Sequence, residues 1–234
     1  MKFALKSRFS QLIFASYYYL WNRFITKDIR KTLLGLWYFT NGNQKLLIDI
    51  HQLNSNSVVF DIGGYFGVFS DQIIAKYNPT IYIFEPISEY AKVLMSKYFD
   101  NNKVKVIEKG VWTETTTKDI QITGESSSLD VFDNRKTGVK LEQIKLMSIS
   151  EILTKYSINR IDLCSMNIEG SEYDLLDYML ERGLFKNINT LQVQFHQNVK
   201  DFEIRRAEIL TGLSKIYETV YSYPYVWECF RKIG

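Results

Sequence analysis

The stretch Val58-Val59-Phe60-Asp61-Ile62-Gly63-Gly64-Tyr65-Phe66-Gly67 constrains this chain more than any other. An apolar run ends in an acid, a glycine pair follows, and a third glycine opens an amphipathic segment. That order reads as a buried strand, a tight turn and a helix start. Such a turn is a ligand site. Glycine lets the backbone approach a bound molecule with no Cβ in the way, and the free N–H groups of the helix start face the same crevice.

A dinucleotide fingerprint needs Gly-x-Gly-x-x-Gly, but Ile62 stands where the first glycine belongs, so only Gly64 and Gly67 fit. Asp61, at the mouth of the strand, would repel a pyrophosphate and could hold an ammonium group. S-adenosylmethionine carries an amino group, a sulfonium and a ribose, and no phosphate. The next strand ends in Ile83-Phe84-Glu85-Pro86, which places an acid 18 residues after Gly67, where a carboxylate accepts hydrogen bonds from ribose hydroxyls. Taken singly, Asp61 could be a helix cap and Glu85 a surface acid before a proline. Their joint spacing favours the cofactor.

The pattern continues as an alternation. Residues 68–77 read as a helix ended by Asn78-Pro79, 86–99 as a second helix and 103–111 as a third strand. A helix at 148–156 opens on a Ser148/Glu151 capping box. A fourth strand spans 161–168, then a helix capped by Ser171 and stopped at Gly183, and a fifth strand at 191–195 that delivers His196. Strands at 218–221 and 225–230 around Pro224 read as an antiparallel pair at the edge. The expected fold is α/β: a seven-stranded, mostly parallel, Rossmann-like sheet with an antiparallel edge strand and helices on both faces. Residues 112–147 break the alternation with turn-rich sequence and two short strands. This insertion shapes a pocket or is a plain surface hairpin, with Ser126, Ser127 and Ser128 as lid candidates. The division expected is a helical extension over 1–42 and one catalytic domain over 43–234.

The glycine turn, Ile-Phe-Glu-Pro, the block Asp162-Leu163-Cys164-Ser165-Met166-Asn167-Ile168-Glu169-Gly170-Ser171-Glu172 and Val193-Gln194-Phe195-His196 resemble, in order and spacing, the FkbM-type S-adenosylmethionine-dependent methyltransferases. The resemblance covers about residues 55–230 and implies O-methylation of a sugar or secondary-metabolite hydroxyl. The ending Tyr223-Pro224-Tyr225-Val226-Trp227-Glu228 resembles the branch found with bacterial surface-polysaccharide genes, implying a glycan acceptor. Many members carry lysine, aspartate and glutamate where this chain has Ser165, Asn167 and Gln194. Losing that aspartate removes a possible metal ligand, so no metal is expected.

The expected cofactor-binding set is Asp61, Gly63, Tyr65, Gly67, Glu85, Pro86, Gly110, Val111 and Asn167. Methyl transfer to a hydroxyl needs an aligned nucleophile and a base, and the ends of strands four and five supply Glu169 and His196. His196 is the expected base because imidazole titrates near working pH, with Glu169 as competitor or orienting group. His51 reads as structural and Glu172 as a support for the helix start. Tyr65, Phe66 and Trp227 could stack on a pyranose or simply pack. The alternatives are a nicotinamide-dependent oxidoreductase, disfavoured by Ile62, and a catalytically silent binding module.

Composition narrows the partners. Residues 1–39 hold seven basic side chains against Asp28, a balance of +6, which leaves the remaining chain at −3 out of a total of +3. That remainder is no nucleic-acid surface. Cys164 and Cys229 lack metal or redox spacing, so a reducing, cytoplasmic setting is expected. Phe9, Leu12, Ile13, Leu20, Trp21 and Phe24 recur at helical spacing. They form either a membrane-surface helix on the inner face of the membrane or, the favoured reading, a helix packed on the domain or on a twin subunit.

Overall fold

In the computed structural model, which describes residues 16–122, 127–128 and 140–234, a seven-stranded sheet forms the frame. Its strands are β1 (Val58–Ile62), β2 (Thr80–Phe84), β3 (Val104–Ile107), β8 (Leu163–Met166), β9 (Thr190–Val193), β10 (Tyr217–Tyr223) and β11 (Trp227–Lys232). The spatial order is β10-β11-β9-β8-β1-β2-β3, so the order reverses between β1 and β8. A crevice opens outside the carboxyl ends at such a reversal. All pairings are parallel except those of β11, which runs antiparallel to both β9 and β10. The last two strands thus form the expected antiparallel edge, with β11 one place in from the rim.

Alternation along each strand divides the core in two. Val59, Ile81, Ile83 and Leu163 point to one face, where α2 (Val68–Tyr77) and α3 (Ser88–Lys97) bring Ile73 and Leu94 against them. Phe60, Ile62, Phe84 and Met166 point to the other. There α4 (Ile149–Lys155), α5 (Glu172–Glu181) and α6 (Phe202–Leu213) supply Ile152, Leu176 and Ile209. These strands are buried on both faces, which is why they read as unbroken apolar runs in sequence. The Ser148 cap is present, its hydroxyl accepting from the Glu151 N–H at 3.1 Å. Ser171 does not cap α5 through its side chain.

The expected third strand is two. Residues 103–111 break at Lys109, whose N–H returns to the Ile107 carbonyl at 2.8 Å. Beyond it β4 (Gly110–Trp112) leaves the main sheet and pairs with β7 (Lys140–Ser148), which also pairs with β5 (Thr116–Ile122), and β5 pairs with β6 (Ser127–Ser128). The insertion is therefore a second sheet standing over the carboxyl ends of β1 and β2.

Helix α1 (Ile29–Phe39) begins on Asp28, whose carboxylate accepts from Lys31 N–H, and it packs Trp37 against Tyr221, Val226 and Cys229. The Trp37 indole N–H donates to Asn43 Oδ1 at 2.6 Å. Gly42 lies under the same ring, where a Cβ would come within 2.3 Å. The residue 42 boundary thus falls inside a packed joint. Among the described residues no helix is long and apolar enough to cross a membrane.

Candidate active site

The glycine turn is held by β2: the N–H groups of Gly63 and Gly64 both donate to the Phe84 carbonyl, at 2.9 and 3.2 Å. Gly63 sits at φ +94°, and a Cβ there would lie 2.1 Å from the Asn167 carbonyl oxygen. Only glycine fits this approach of the first and fourth strand ends. Tyr65 (φ 47°) and Glu169 (φ 55°) are also left-handed, at the mouths of β1 and β8. Non-glycine residues are uncommon in that region and gather at functional sites.

Two clefts flank this turn. The first is apolar, lined by Pro86, Ile87, Tyr90, Gly110 and Val111 and by Ile120, Ile144 and Leu146 from the small sheet, with Glu85 and Glu169 as its carboxylates. The second is lined by Asn43, Asp61, Gln72, Ser165 and Asn167, with Tyr65, Phe66, Phe69 and Trp227 as aromatic walls. They share Gly63, Tyr65 and Asn167. At this junction Asn167 Oδ1 is buried without a hydrogen-bond partner, an acceptor left for a ligand.

Glu85 is buried, its two oxygens accepting from the N–H groups of Tyr65 (2.8 Å) and Ile87 (2.9 Å). Burial pushes its pKa up to about 7 against the pull of those two donors. Asp61 is buried too, and its Oδ2 accepts from Ser70 Oγ at 2.5 Å. Burial raises it to about 6, again against its hydrogen bond. A buried carboxylate with a raised pKa gains most from a cation or a row of donors. Asp61, Ser165 and Gln192 are register partners across β1, β8 and β9. Gln192 Nε2 donates to Ser165 Oγ at 3.1 Å, while its Oε1 lies 3.0 Å from His51 Nε2. Burial drives His51 down to about 4, so it is neutral and structural, as expected.

His196 stands behind Glu169, outside both cleft linings. Its Nδ1 lies 3.1 Å from Glu172 Oε1 and its Nε2 3.5 Å from Glu169 Oε2. Burial alone would lower its pKa, but hydrogen bonds to Glu169 and Glu172 override it and hold the ring at about 9. His196 is thus engaged by two carboxylates and stands one side chain further from the clefts than Glu169. Glu172 is fully buried. It accepts from Gly170 N–H (2.8 Å) and His196 N–H (2.7 Å), clamping the ends of β8 and β9 together as well as standing in the first turn of α5.

Most of the expected set meets here: Gly63, Tyr65, Glu85, Pro86, Gly110, Val111, Asn167 and Glu169 line the first cleft, and Asp61 the second. Gly67 lines neither. It is the left-handed N-cap of α2, packed under Tyr98, whose hydroxyl would be 2.5 Å from an added Cβ. Ser70, Ile87 and Tyr90 were not read from the sequence. The wall residues Ile120, Ile144 and Leu146 were, in part, since the strands carrying them were expected within the insertion. Ser126 lies outside the described residues, and Ser127 and Ser128 sit on the outermost strand of the small sheet.

A model of the methyltransferase FkbM domain matches residues 61–217, two-thirds of the chain. The chain belongs to the FkbM methyltransferase family. It is an S-adenosylmethionine-dependent methyltransferase, and the oxidoreductase and silent-module alternatives fall away. An rRNA methylase fold from Clostridium thermocellum superposes with a TM-score of 0.50 at 12% identity, covering 83% of this chain and 95% of that one. An rRNA methylase from Streptococcus thermophilus gives 0.48 at 12% identity, covering 81% and 93%. TrmK of M. capricolum, solved with S-adenosylhomocysteine, gives 0.40 at 14% identity, covering 82% and 66%. At these identities the likeness is one of fold: the FkbM domain is built on the class I methyltransferase sheet. No curated protein matches the sequence.

Proposed function

We propose that this FkbM methyltransferase methylates a hydroxyl of a sugar in a bacterial surface polysaccharide or a related glycan, with Glu169 as the base. The observation that carries the choice of acceptor is the lining of the two clefts, in which, among the described residues, no lysine or arginine takes part. An RNA acceptor is held chiefly by cations on its phosphates. A neutral polyol is held by amides, carboxylates and aromatic faces, which is what Asn43, Gln72, Phe66 and Trp227 offer.

The residues present fit the methyl donor. Ile87, Tyr90, Val111 and Ile144 suit an adenine ring, Glu85 a ribose diol, and Asp61 with the unpartnered Asn167 Oδ1 an ammonium or sulfonium. The donor supplies an electrophilic methyl whose thioether leaving group departs neutral, so the protein need provide no acid. Its task is to align the acceptor oxygen and remove its proton as the new C–O bond forms. Glu169 lines the first cleft, and its backbone carbonyl is fixed by Asn198 Nδ2 at 3.0 Å. The His196 imidazolium pairs with the Glu169 carboxylate and orients it.

The test is transfer of labelled methyl from S-adenosylmethionine to a panel of nucleotide sugars, lipid-linked glycans and total RNA. Label in glycan hydroxyls supports the reading, and label in RNA alone ends it. Glu169→Gln should slow glycan methylation by about a hundredfold or more with donor affinity held.

A further inference from the structure

We propose that residues 17–31 form a docking face for an anionic membrane surface. Tyr17, Leu20, Trp21, Phe24, Ile25 and Ile29 expose between 47% and 71% of their surface. The first five follow the stripe spacing i, i+3, i+4, i+7, i+8 along a helical segment that is α over residues 16–21 and π over Asn22–Thr26. In a helix packed on its own domain that stripe faces inward. Here it faces out. The contact with the domain is made elsewhere on the helix: the Tyr19 backbone crosses α1 so closely that a Cβ on Gly35 would meet it at 2.9 Å. Asn22, on the same inner side, is buried.

The charge around the stripe chooses the occupant. Arg23, Lys27, Arg30 and Lys31 accompany it, with Asp28 the acid among them and engaged by Lys31. A second copy of this chain docked by two-fold symmetry would set those cations against their own twins. An anionic lipid surface instead attracts them, while tryptophan and tyrosine settle at headgroup depth and phenylalanine, leucine and isoleucine enter the acyl boundary. The face is linked to the second cleft through α1. Arg30 Nε donates to the Tyr225 carbonyl at 3.2 Å, and Trp37 on α1 holds Asn43, which lines that cleft. Vesicle binding needs neither donor nor acceptor, so this inference stands apart from the glycan reading.

The experiment is flotation of the full-length protein with vesicles of phosphatidylcholine containing about one-third phosphatidylglycerol, and with phosphatidylcholine alone. The expected result is flotation with the anionic vesicles, weakened by salt. The triple variant Leu20→Ser, Phe24→Ser, Ile25→Ser should bind roughly tenfold or more weakly while still binding S-adenosylhomocysteine, and Arg23→Glu with Lys27→Glu should do likewise. Failure of the intact chain to float overturns the proposal, as does a triple variant that floats as well as the parent. So does light scattering that shows a dimer broken by the triple variant without any vesicle binding.

Discussion

The two clefts on either side of Gly63 are both walled mainly by apolar and aromatic side chains, but different elements close them and they carry different polar groups. The first is apolar and is completed by the small sheet, through Ile120, Ile144 and Leu146. The second is completed by the N-terminal segment and the edge hairpin, through Asn43, Leu47 and Trp227, and adds Asp61, Gln72 and Ser165 to its aromatic walls. The contrast lies in the carboxylates each cleft presents, Glu85 and Glu169 in the first and Asp61 in the second, and it teaches that one sheet end offers two distinct polar anchors. On the proposed reading, the adenosine takes the first cleft with Glu85 at its ribose, and the amino-acid end takes the second with Asp61. The glycine turn is common to both, and the proposed reading puts the reacting methyl beside it.

The largest effect should come from the shared wall. Gly63→Ala puts a Cβ against the Asn167 carbonyl in a left-handed backbone, costing about 3 kcal/mol or more. A loss of donor binding together with a lowered melting temperature is expected, and calorimetry plus thermal denaturation would detect both. Unchanged binding would mean that the two clefts do not meet as described.

Acid should weaken the donor site next most strongly. With Asp61 raised to about 6 and Glu85 to about 7, both carboxylates are ionised at pH 8 and protonated at pH 5. Donor affinity should fall by roughly tenfold across that range, since charge-assisted bonds to the ligand are lost. The cluster behind the first cleft has the opposite sense. His196 has its pKa raised from 6.5 to about 9, so its contribution to stability is fully present below pH 6.5 and lost as pH rises through 9. The destabilisation caused by His196→Ala should therefore shrink between pH 6.5 and pH 10 in thermal scans.

The smallest effects separate the two sides. Ile144→Ala should weaken donor binding about threefold to tenfold and leave acceptor KM unchanged, whereas Phe66→Ala should raise acceptor KM by a similar factor and spare the donor. Steady-state kinetics with both substrates varied would show the split, and identical profiles would erase the distinction between the walls.

The first cleft's carboxylate and glycines were legible in sequence because turn chemistry and strand ends are local. Gly63, Glu85 and Asn167 each sit where a run of apolar residues stops. The walls were harder, since they are set by tertiary placement. Nothing in the sequence tells that Asn43 reaches the cleft, because its position depends on Trp37 packing across the β10–β11 hairpin. The break of residues 103–111 into β3 and β4 falls at Glu108-Lys109-Gly110, a polar and glycine interruption that the one-strand reading ran through. The surroundings of His196 were hidden for the same reason as the walls: a histidine's charge is decided by its neighbours, and Glu172 is 24 residues away in sequence.

The central claim is that the donor spans both clefts, and it is tested most directly by titrating S-adenosylhomocysteine into Asp61→Asn, Glu85→Gln and the double variant, each checked for folding. The account predicts a loss of roughly tenfold to a hundredfold for each single change and a larger loss for the pair. If Asp61→Asn bound as tightly as the parent while Glu85→Gln did not, the ligand would occupy the first cleft alone and the account would be contradicted.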